Sequence, residues 1–211
     1  MEELFNMLFR WGHILVGITW IGLLYYFNFV QTEYFKESEE TARKDAVSKL
    51  VPRALWWFRW AAFFTFLTGL VLLYSITMRI NLDIMLGATM GTLMMLNVWG
   101  IIWPNQKIVI GLKEGDSAVA GPKAALASRT NTLLSIPMLY FMVSSAHYPH
   151  GGYLFAGEIT LPAFLAGLGI ILAIEANAIW GKMFGVILSV RDVIISGFVL
   201  TVLISAITYY L

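Results

Sequence analysis

Cysteine is absent from the chain, and its absence excludes several kinds of site. Without thiols the chain forms no disulfide, no thiolate-bound zinc or iron–sulfur cluster, and no covalent haem attachment through a CxxCH motif. Charge is also scarce, since 13% of the 211 residues are Asp, Glu, Lys or Arg, against roughly 25% in soluble domains. A net charge of +1 provides no basic surface, so we expect no nucleic acid partner.

Apolar side chains are abundant, at 59% of the sequence, and 15% of the residues are aromatic. A soluble domain would have to cover itself with charge, whereas a surface in contact with lipid needs none. A spanning helix takes about 20 mainly apolar residues, and the segments that qualify are 4–30, 53–78, 82–103, 126–146, 161–181 and 193–211. We therefore predict an all-α integral membrane protein, a single domain over residues 1–211 with about six transmembrane helices.

The segments are separated by recognisable breaks, which include the charged run EYFKESEETARKD, the WPN after the third segment and the HYPHGG after the fourth. The charged run has a helix-forming composition and is typical of a solvated or interfacial helix. The break at residues 79–83 is so short that it predicts a tight hairpin between the second and third helices.

The positions of the basic residues predict the orientation, because cytoplasmic flanks are enriched in Lys and Arg. With the N-terminus outside, all 14 Lys and Arg residues except Arg10 and Arg79 fall at or near the inner face. We therefore expect both termini on the outer, periplasmic side and the loops 31–52 and 104–125 on the inner side.

Two of the three histidines are predicted to share the outer leaflet. His13 lies in the first apolar segment and His147 ends the fourth, while His150 follows in the HYPHGG loop. Two histidines at a similar depth on different helices are the axial ligands by which membrane bundles hold haem b. The small residues that could make room for the macrocycle are Gly12, Gly17, Gly22, Ser144, Ser145 and Ala146. Three alternatives remain open. The first is a copper or zinc site that includes His150, and the second is Met142 as the second ligand. The third is that both histidines are hydrogen-bonded interfacial residues without a metal.

A second polar layer is predicted toward the cytoplasm. Its members all lie within two or three turns of the inner helix ends, and they are Asn28, Gln31, Arg59, Asn97, Arg129, Asn131, Glu175 and Asn177. A carboxylate inside a spanning helix is costly unless it is protonated or paired, and Arg59 is at a matching predicted depth to Glu175. A proton or substrate path and a buried ion pair with amide hydrogen bonds both explain this layer.

Three segments resemble the urate oxidase N-terminal domain, the membrane domain of bacterial membrane-bound urate hydroxylases: HILVGITWIGLLYYFNFVQ (13–31), NVWGIIWPNQKIVIG (97–111) and RTNTLLSIPMLYFMVSSAHYP (129–149). The resemblance implies a multi-pass protein of a bacterial inner membrane and, if it is an enzyme, an oxidoreductase that oxidises urate to 5-hydroxyisourate. Members of the family typically carry a cytochrome c domain. This sequence has no CxxCH, so the electron acceptor would be a separate cytochrome c. The candidate site residues in the similar segments are His13, Asn28, Trp103, Asn105, Gln106, Arg129, Asn131, Thr132 and His147.

Three functional hypotheses follow. The first is a membrane redox protein that holds haem b between His13 and His147 and passes electrons from a quinol or small substrate to a periplasmic carrier. The second is a non-catalytic membrane subunit that docks or stabilises a larger respiratory or oxidase complex. The third is a small transporter with Glu175 and Arg59 in its path, which lacks the inverted repeat common in transporters.

Overall fold

The computed structural model describes residues 1–149 and 152–211, and over these residues the regular secondary structure is helical. One isolated β-bridge joins Asn81 to Tyr153. His150 lies outside the described residues, and the predicted role of that histidine as a third metal ligand falls there. The all-α prediction is confirmed for the described part of the chain.

The α-helices are α1 (Glu2–Tyr25), α2 (Thr32–Glu37), α3 (Glu40–Ser75), α4 (Leu82–Asn97), α5 (Trp103–Val109), α6 (Ser117–His147), α7 (Leu161–Trp180), α8 (Gly185–Leu188) and α9 (Val190–Tyr210). Two π-helical segments join consecutive helices without a break: the first, Tyr26–Gln31, links α1 to α2, and the second, Val98–Ile102, links α4 to α5. Short 3-10 helices occupy Thr77–Arg79 and Leu154–Ala156.

Five helical stretches are long and apolar enough to cross a membrane: Glu2–Glu37, Glu40–Ser75, Leu82–Val109, Leu161–Trp180 and Val190–Tyr210. The remaining predicted span, 126–146, lies within α6, whose 31 residues exceed the length that a span requires. Polar side chains lower the mean hydropathy of α6 below that of the other five stretches. Helices that are long and apolar enough to span a membrane are therefore confirmed, while the count of six and the orientation of the termini stay predictions.

The connection predicted at 31–52 is almost entirely helical, which confirms the helix predicted for its charged run, while its inward orientation stays a prediction. The first span runs on through α2 to Glu37, and α3 begins at Glu40 and continues past Pro52. Oppositely charged side chains one turn apart stabilise these ends, since Lys44 pairs with Glu40 at 2.6 Å and Lys49 pairs with Asp45. The hairpin predicted near 79–83 is confirmed, with α3 ending at Ser75 and α4 beginning at Leu82.

Large apolar side chains are exposed along the spans. Ile14 and Ile18 of α1 are 60% and 66% exposed, and Phe198 and Val202 of α9 are 62% and 68% exposed. A soluble protein does not leave contiguous apolar surface of this kind in water. Hydrocarbon chains of a bilayer solvate it instead.

The chain divides into two compact units, each made of two separate stretches. Unit 1 comprises Met1–Thr68 and Met95–Asn131. Its core contains Trp20, Leu24 and Phe58, which are at most 2% exposed. Phe58 meets Phe27 edge-on at 5.4 Å between ring centroids, which packs α3 against the first π-helical segment.

Unit 2 comprises Gly69–Met94 and Thr132–Leu211. Its helices approach closely at glycines, as is usual where membrane helices pack without a hydrophobic driving force. A β-carbon at Gly87 of α4 would lie 3.3 Å from the Met142 backbone nitrogen of α6. A β-carbon at Gly167 of α7 would lie 3.0 Å from the Leu86 side chain.

Candidate functional site

His13 is held within unit 1 by a hydroxyl group of a second helix. Its Nδ1 lies 2.9 Å from Oγ1 of Thr68, and the Thr65 backbone is a further hydrogen-bond partner of the ring. The ring is part-buried between α1 and α3. His13, the single histidine of the first span, thus has a hydrogen-bond partner on α3 that lies 55 positions away in the sequence.

The bonds of Thr68 favour one tautomer of the His13 ring. Thr68 Oγ1 donates to the carbonyl oxygen of Phe64 at 2.7 Å, with a second contact to the Thr65 carbonyl at 3.1 Å. A hydroxyl has a single proton, so with that proton on the Phe64 carbonyl Oγ1 accepts the Nδ1–H of His13. In the neutral ring the lone pair is then on Nε2, the atom that remains for a proton, a metal ion or a haem iron.

Open space adjoins α1 at two glycines. A β-carbon at Gly12 or Gly22 would meet no atom within 4 Å, and one at Gly17 would meet Thr65 Cγ2 at 4.0 Å. An imidazole whose Nδ1 already has a hydrogen-bond partner fits a metal-binding role, since metal-binding histidines nearly always donate their other ring N–H to a fixed acceptor.

The other predicted outer-layer histidine belongs to unit 2. His147 is the last residue of α6 and is exposed. Over residues 1–149 and 152–211, no group of three or more His, Asp or Glu side chains is placed to hold a metal ion. The copper alternative includes His150, which lies outside those residues, so it stays a prediction.

Three amide side chains of the predicted inner layer, Asn28, Asn97 and Asn131, form hydrogen bonds within unit 1. Asn28 Nδ2 donates to Ser128 Oγ at 2.8 Å and to the Leu24 carbonyl at 2.9 Å. Asn97 Nδ2 donates to Asn131 Oδ1 at 2.9 Å. Asn28, Asn97 and Asn131 are at most 4% exposed. These bonds tie α6 to the first span at position 128 and to the third span at position 131.

Both π-helical segments lie at this polar layer. Asn28 is within the first, and Asn97 directly precedes the second. A π-helical turn contains one residue more than an α-helical turn, which rotates the side chains that follow it, and such turns are frequent at functional sites. The sequence pattern does not show either segment, because the inserted residue leaves an apolar run apolar.

Arg59 of α3 is satisfied by aromatic contacts in unit 1. Its Cζ lies 3.9 Å from the centroid of the Trp103 ring, while Lys107 Nζ lies 5.6 Å from the same centroid. The backbone carbonyl of Arg59 accepts a hydrogen bond from Trp99 Nε1 at 3.1 Å. Its predicted partner Glu175 is buried in α7 and belongs to unit 2, so their pairing stays a prediction.

Arg129 differs from Arg59 because it is buried and forms no ion pair among the described residues. The residue is 6% exposed, and its Nη1 has no hydrogen-bond partner among the described residues. The ion pairs within the described chain are Lys36–Glu33, Lys44–Glu40 and Lys49–Asp45, none of which involves Arg129. Burying an unpaired ion carries a penalty of several kcal/mol. Arg129 is therefore the residue of this layer that most requires an explanation.

The sequence analysis missed a buried polar group in unit 2. Asp83 is fully buried and accepts a hydrogen bond from Ser144 Oγ at 2.7 Å. Asn81 donates to the Ser145 carbonyl at 2.8 Å and accepts from the Ile84 backbone N–H at 3.0 Å. The Asn-Leu-Asp sequence before an apolar run is a signal for a helix start and could have identified these residues.

The remaining candidates have mainly local partners. Asn105 Nδ2 donates to the Ile101 carbonyl at 2.7 Å, and Asn177 Oδ1 accepts from the Lys182 backbone N–H at 3.4 Å. Thr132 is fully buried at the start of the unit 2 part of α6, whereas Gln106 is half-buried in α5. These contacts stabilise helix ends and helix packing.

Comparison with known families gives one result, and it covers less than half of the chain. Residues 81–174 match the family model described as "Urate oxidase N-terminal". The match includes the similar segments 97–111 and 129–149, while the segment 13–31 lies outside it. Comparison with curated proteins and with solved structures gives no match. The resemblance is therefore confirmed over this range: the chain has the helices of a multi-pass membrane protein and is similar to the urate oxidase N-terminal family over residues 81–174.

Proposed function

We propose that this chain is a redox protein of a bacterial inner membrane that binds haem b with His13 as an axial ligand. It would pass electrons from a quinol or a small substrate to a separate cytochrome c. Urate is the narrower version of this proposal, since residues 81–174 are similar to the urate oxidase N-terminal family.

The hydrogen bond between His13 and Thr68 is the observation that supports the proposal most. The Thr68 hydroxyl, itself bonded to the Phe64 carbonyl, lies 2.9 Å from Nδ1 and favours the tautomer with Nδ1 protonated. This arrangement orients Nε2 and raises its basicity. A hydrogen-bond partner of a metal-binding histidine has the same two effects.

The chemistry of the haem and that of the protein are separable. Haem b supplies reversible one-electron transfer at its iron. The residues of the chain hold the ring nitrogen in place, keep the surroundings apolar and so adjust the reduction potential. The sequence analysis predicts His147 as the second axial ligand, and a test of each histidine separately decides that assignment.

The visible absorption spectrum of detergent-purified full chain tests the proposal. Oxidised protein is compared with dithionite-reduced protein, and iron and copper are measured on the same sample. We expect the sharp reduced bands of haem b. A colourless protein without iron or copper would overturn the redox proposal and favour a non-catalytic membrane subunit of a larger oxidase or respiratory complex.

The broad apolar surface supports that alternative. Exposed side chains such as Ile18 in α1 and Phe198 in α9 suit contact with lipid or with helices of another membrane subunit equally well. A subunit of this kind needs no cofactor, so the absorption spectrum separates the two functions.

A further inference from the structure

Arg129 is a buried cation in a rigid position. Ser128 on one side of it is bonded to Asn28, and Asn131 on the other side is bonded to Asn97. An arginine near a membrane surface usually extends its head group into water. Arg129 is only 6% exposed, and its Nη1 is buried.

The charges nearby do not compensate Arg129. Glu33 is the carboxylate whose charge acts on it. Glu33 is already paired with Lys36 at 2.8 Å, and its side chain is 41% exposed, so water and Lys36 screen its field. Nη1 of Arg129, in contrast, is buried and has no hydrogen-bond partner among the described residues.

We propose that Arg129 is the centre of an oxyanion-binding site in unit 1, which takes the carboxylate or phosphate group of a small molecule or of a lipid. A guanidinium donates two parallel N–H bonds to such a group, and these charge-assisted bonds are stronger than neutral ones. The π-helical segment that carries Asn28 supports the assignment, since π-helical turns are frequent at functional sites. This site does not depend on haem binding at His13.

Thermal unfolding of the full chain in a non-ionic detergent tests the proposal, with the intrinsic tryptophan fluorescence as the signal. One arm adds sodium acetate or sodium phosphate, with sodium chloride at equal ionic strength as the baseline. The other arm adds phosphatidylglycerol to the micelles, with uncharged dioleoylglycerol as its control. We expect one arm to raise the unfolding temperature, and the responding arm identifies a free anion or a lipid phosphate as the occupant.

Three substitutions assign the effect to a residue. Arg129→Gln is expected to weaken the apparent affinity about tenfold or more, because the charge-assisted bonds are lost. Arg53→Gln removes one exposed positive charge from the same unit and is expected to leave the affinity unchanged. Glu33→Gln removes the competing negative charge and is expected to tighten binding a few-fold.

A fourth variant protects the test against a folding defect. Arg129→Met removes the buried charge but keeps an unbranched side chain, so without anion its unfolding temperature is expected to equal or exceed that of the wild type. The proposal is overturned if neither arm stabilises the wild type, if the stabilisation survives in Arg129→Gln, or if it is lost in Arg53→Gln instead. A lower unfolding temperature of Arg129→Met without added anion would also contradict it, because it would show an internal partner.

Discussion

Thr68 is the side chain that contacts Nδ1 of His13 and leaves Nε2 as the candidate ligand atom. Sequence inspection identifies His13 easily, because it is one imidazole in an apolar run, but its partner lies 55 residues away on another helix. No local pattern connects the two. The Thr68 hydroxyl also donates to the Phe64 carbonyl of its own helix, as many threonines in helices do. The sequence therefore does not distinguish Thr68 from other threonines. The role of Thr68 therefore appears only once α1 and α3 are packed.

Thr68→Val is expected to weaken haem binding about 10- to 100-fold, the usual cost of removing a hydrogen-bond partner of a metal ligand. The valine keeps the shape of the side chain but cannot accept the Nδ1–H. Haem titration of the purified variants measures the effect. Thr19→Val is the control, because the Thr19 hydroxyl bonds only to the Leu15 carbonyl of α1. Wild-type affinity in Thr68→Val would contradict the account.

The amide pair between Asn97 and Asn131 is expected to be coupled energetically. Each single change to Leu leaves the partner amide without this bond, so we expect each to lower the free energy of unfolding by about 1–3 kcal/mol. The double variant is expected to lose less than the sum, with a coupling of about 0.5–2 kcal/mol. Chemical unfolding in mixed micelles measures all four proteins, and strictly additive losses would show that the bond contributes nothing.

The helices were largely predictable, whereas their ends and irregular turns were not. Apolar runs of about 20 residues determine the spans directly, because hydrocarbon leaves the backbone no other hydrogen-bond partner. The charged run in 31–52 predicts a helix, but hydropathy does not report how far the helix extends, because charged side chains stabilise it in water. The π-helical segments were not predictable, since Asn28 and Asn97 lie in runs whose apolar pattern is the same with or without an inserted residue.

The contact between α4 and α6 in unit 2 depends on Gly87. Gly87→Leu is expected to lower the free energy of unfolding by about 1–3 kcal/mol through overpacking, because its β-carbon alone would lie 3.3–3.4 Å from the backbone of α6. Gly169→Leu is the matched control in α7, since a β-carbon there meets no atom within 4 Å. Equal stability of the two variants in a detergent unfolding series would contradict the close packing.

At the scale of the whole molecule, the distribution of charge predicts how the chain lies in the membrane. The structure confirms helices that can span, and the family match covers residues 81–174. Neither reports which end faces the cytoplasm. The assignment depends on the basic residues, which are concentrated at one predicted face with the exceptions of Arg10 and Arg79.

The absence of cysteine makes the orientation directly testable. Met78→Cys lies in the link between α3 and α4, and Glu114→Cys lies in the turn between α5 and α6. Both native side chains are exposed. A membrane-impermeant maleimide is expected to label Met78→Cys on intact cells and Glu114→Cys only after permeabilisation. The opposite pattern would reverse the predicted orientation.

The central claim is that His13 binds a haem iron, and the haem content per chain tests it most directly. Pyridine haemochrome analysis of the wild type, His13→Ala and His147→Ala, purified in one detergent, gives this ratio for each protein. The account predicts stoichiometric haem b in the wild type and its loss in His13→Ala, while His147→Ala reports on the second ligand. Haem-free wild-type protein, or full haem content in a folded His13→Ala variant, would contradict it.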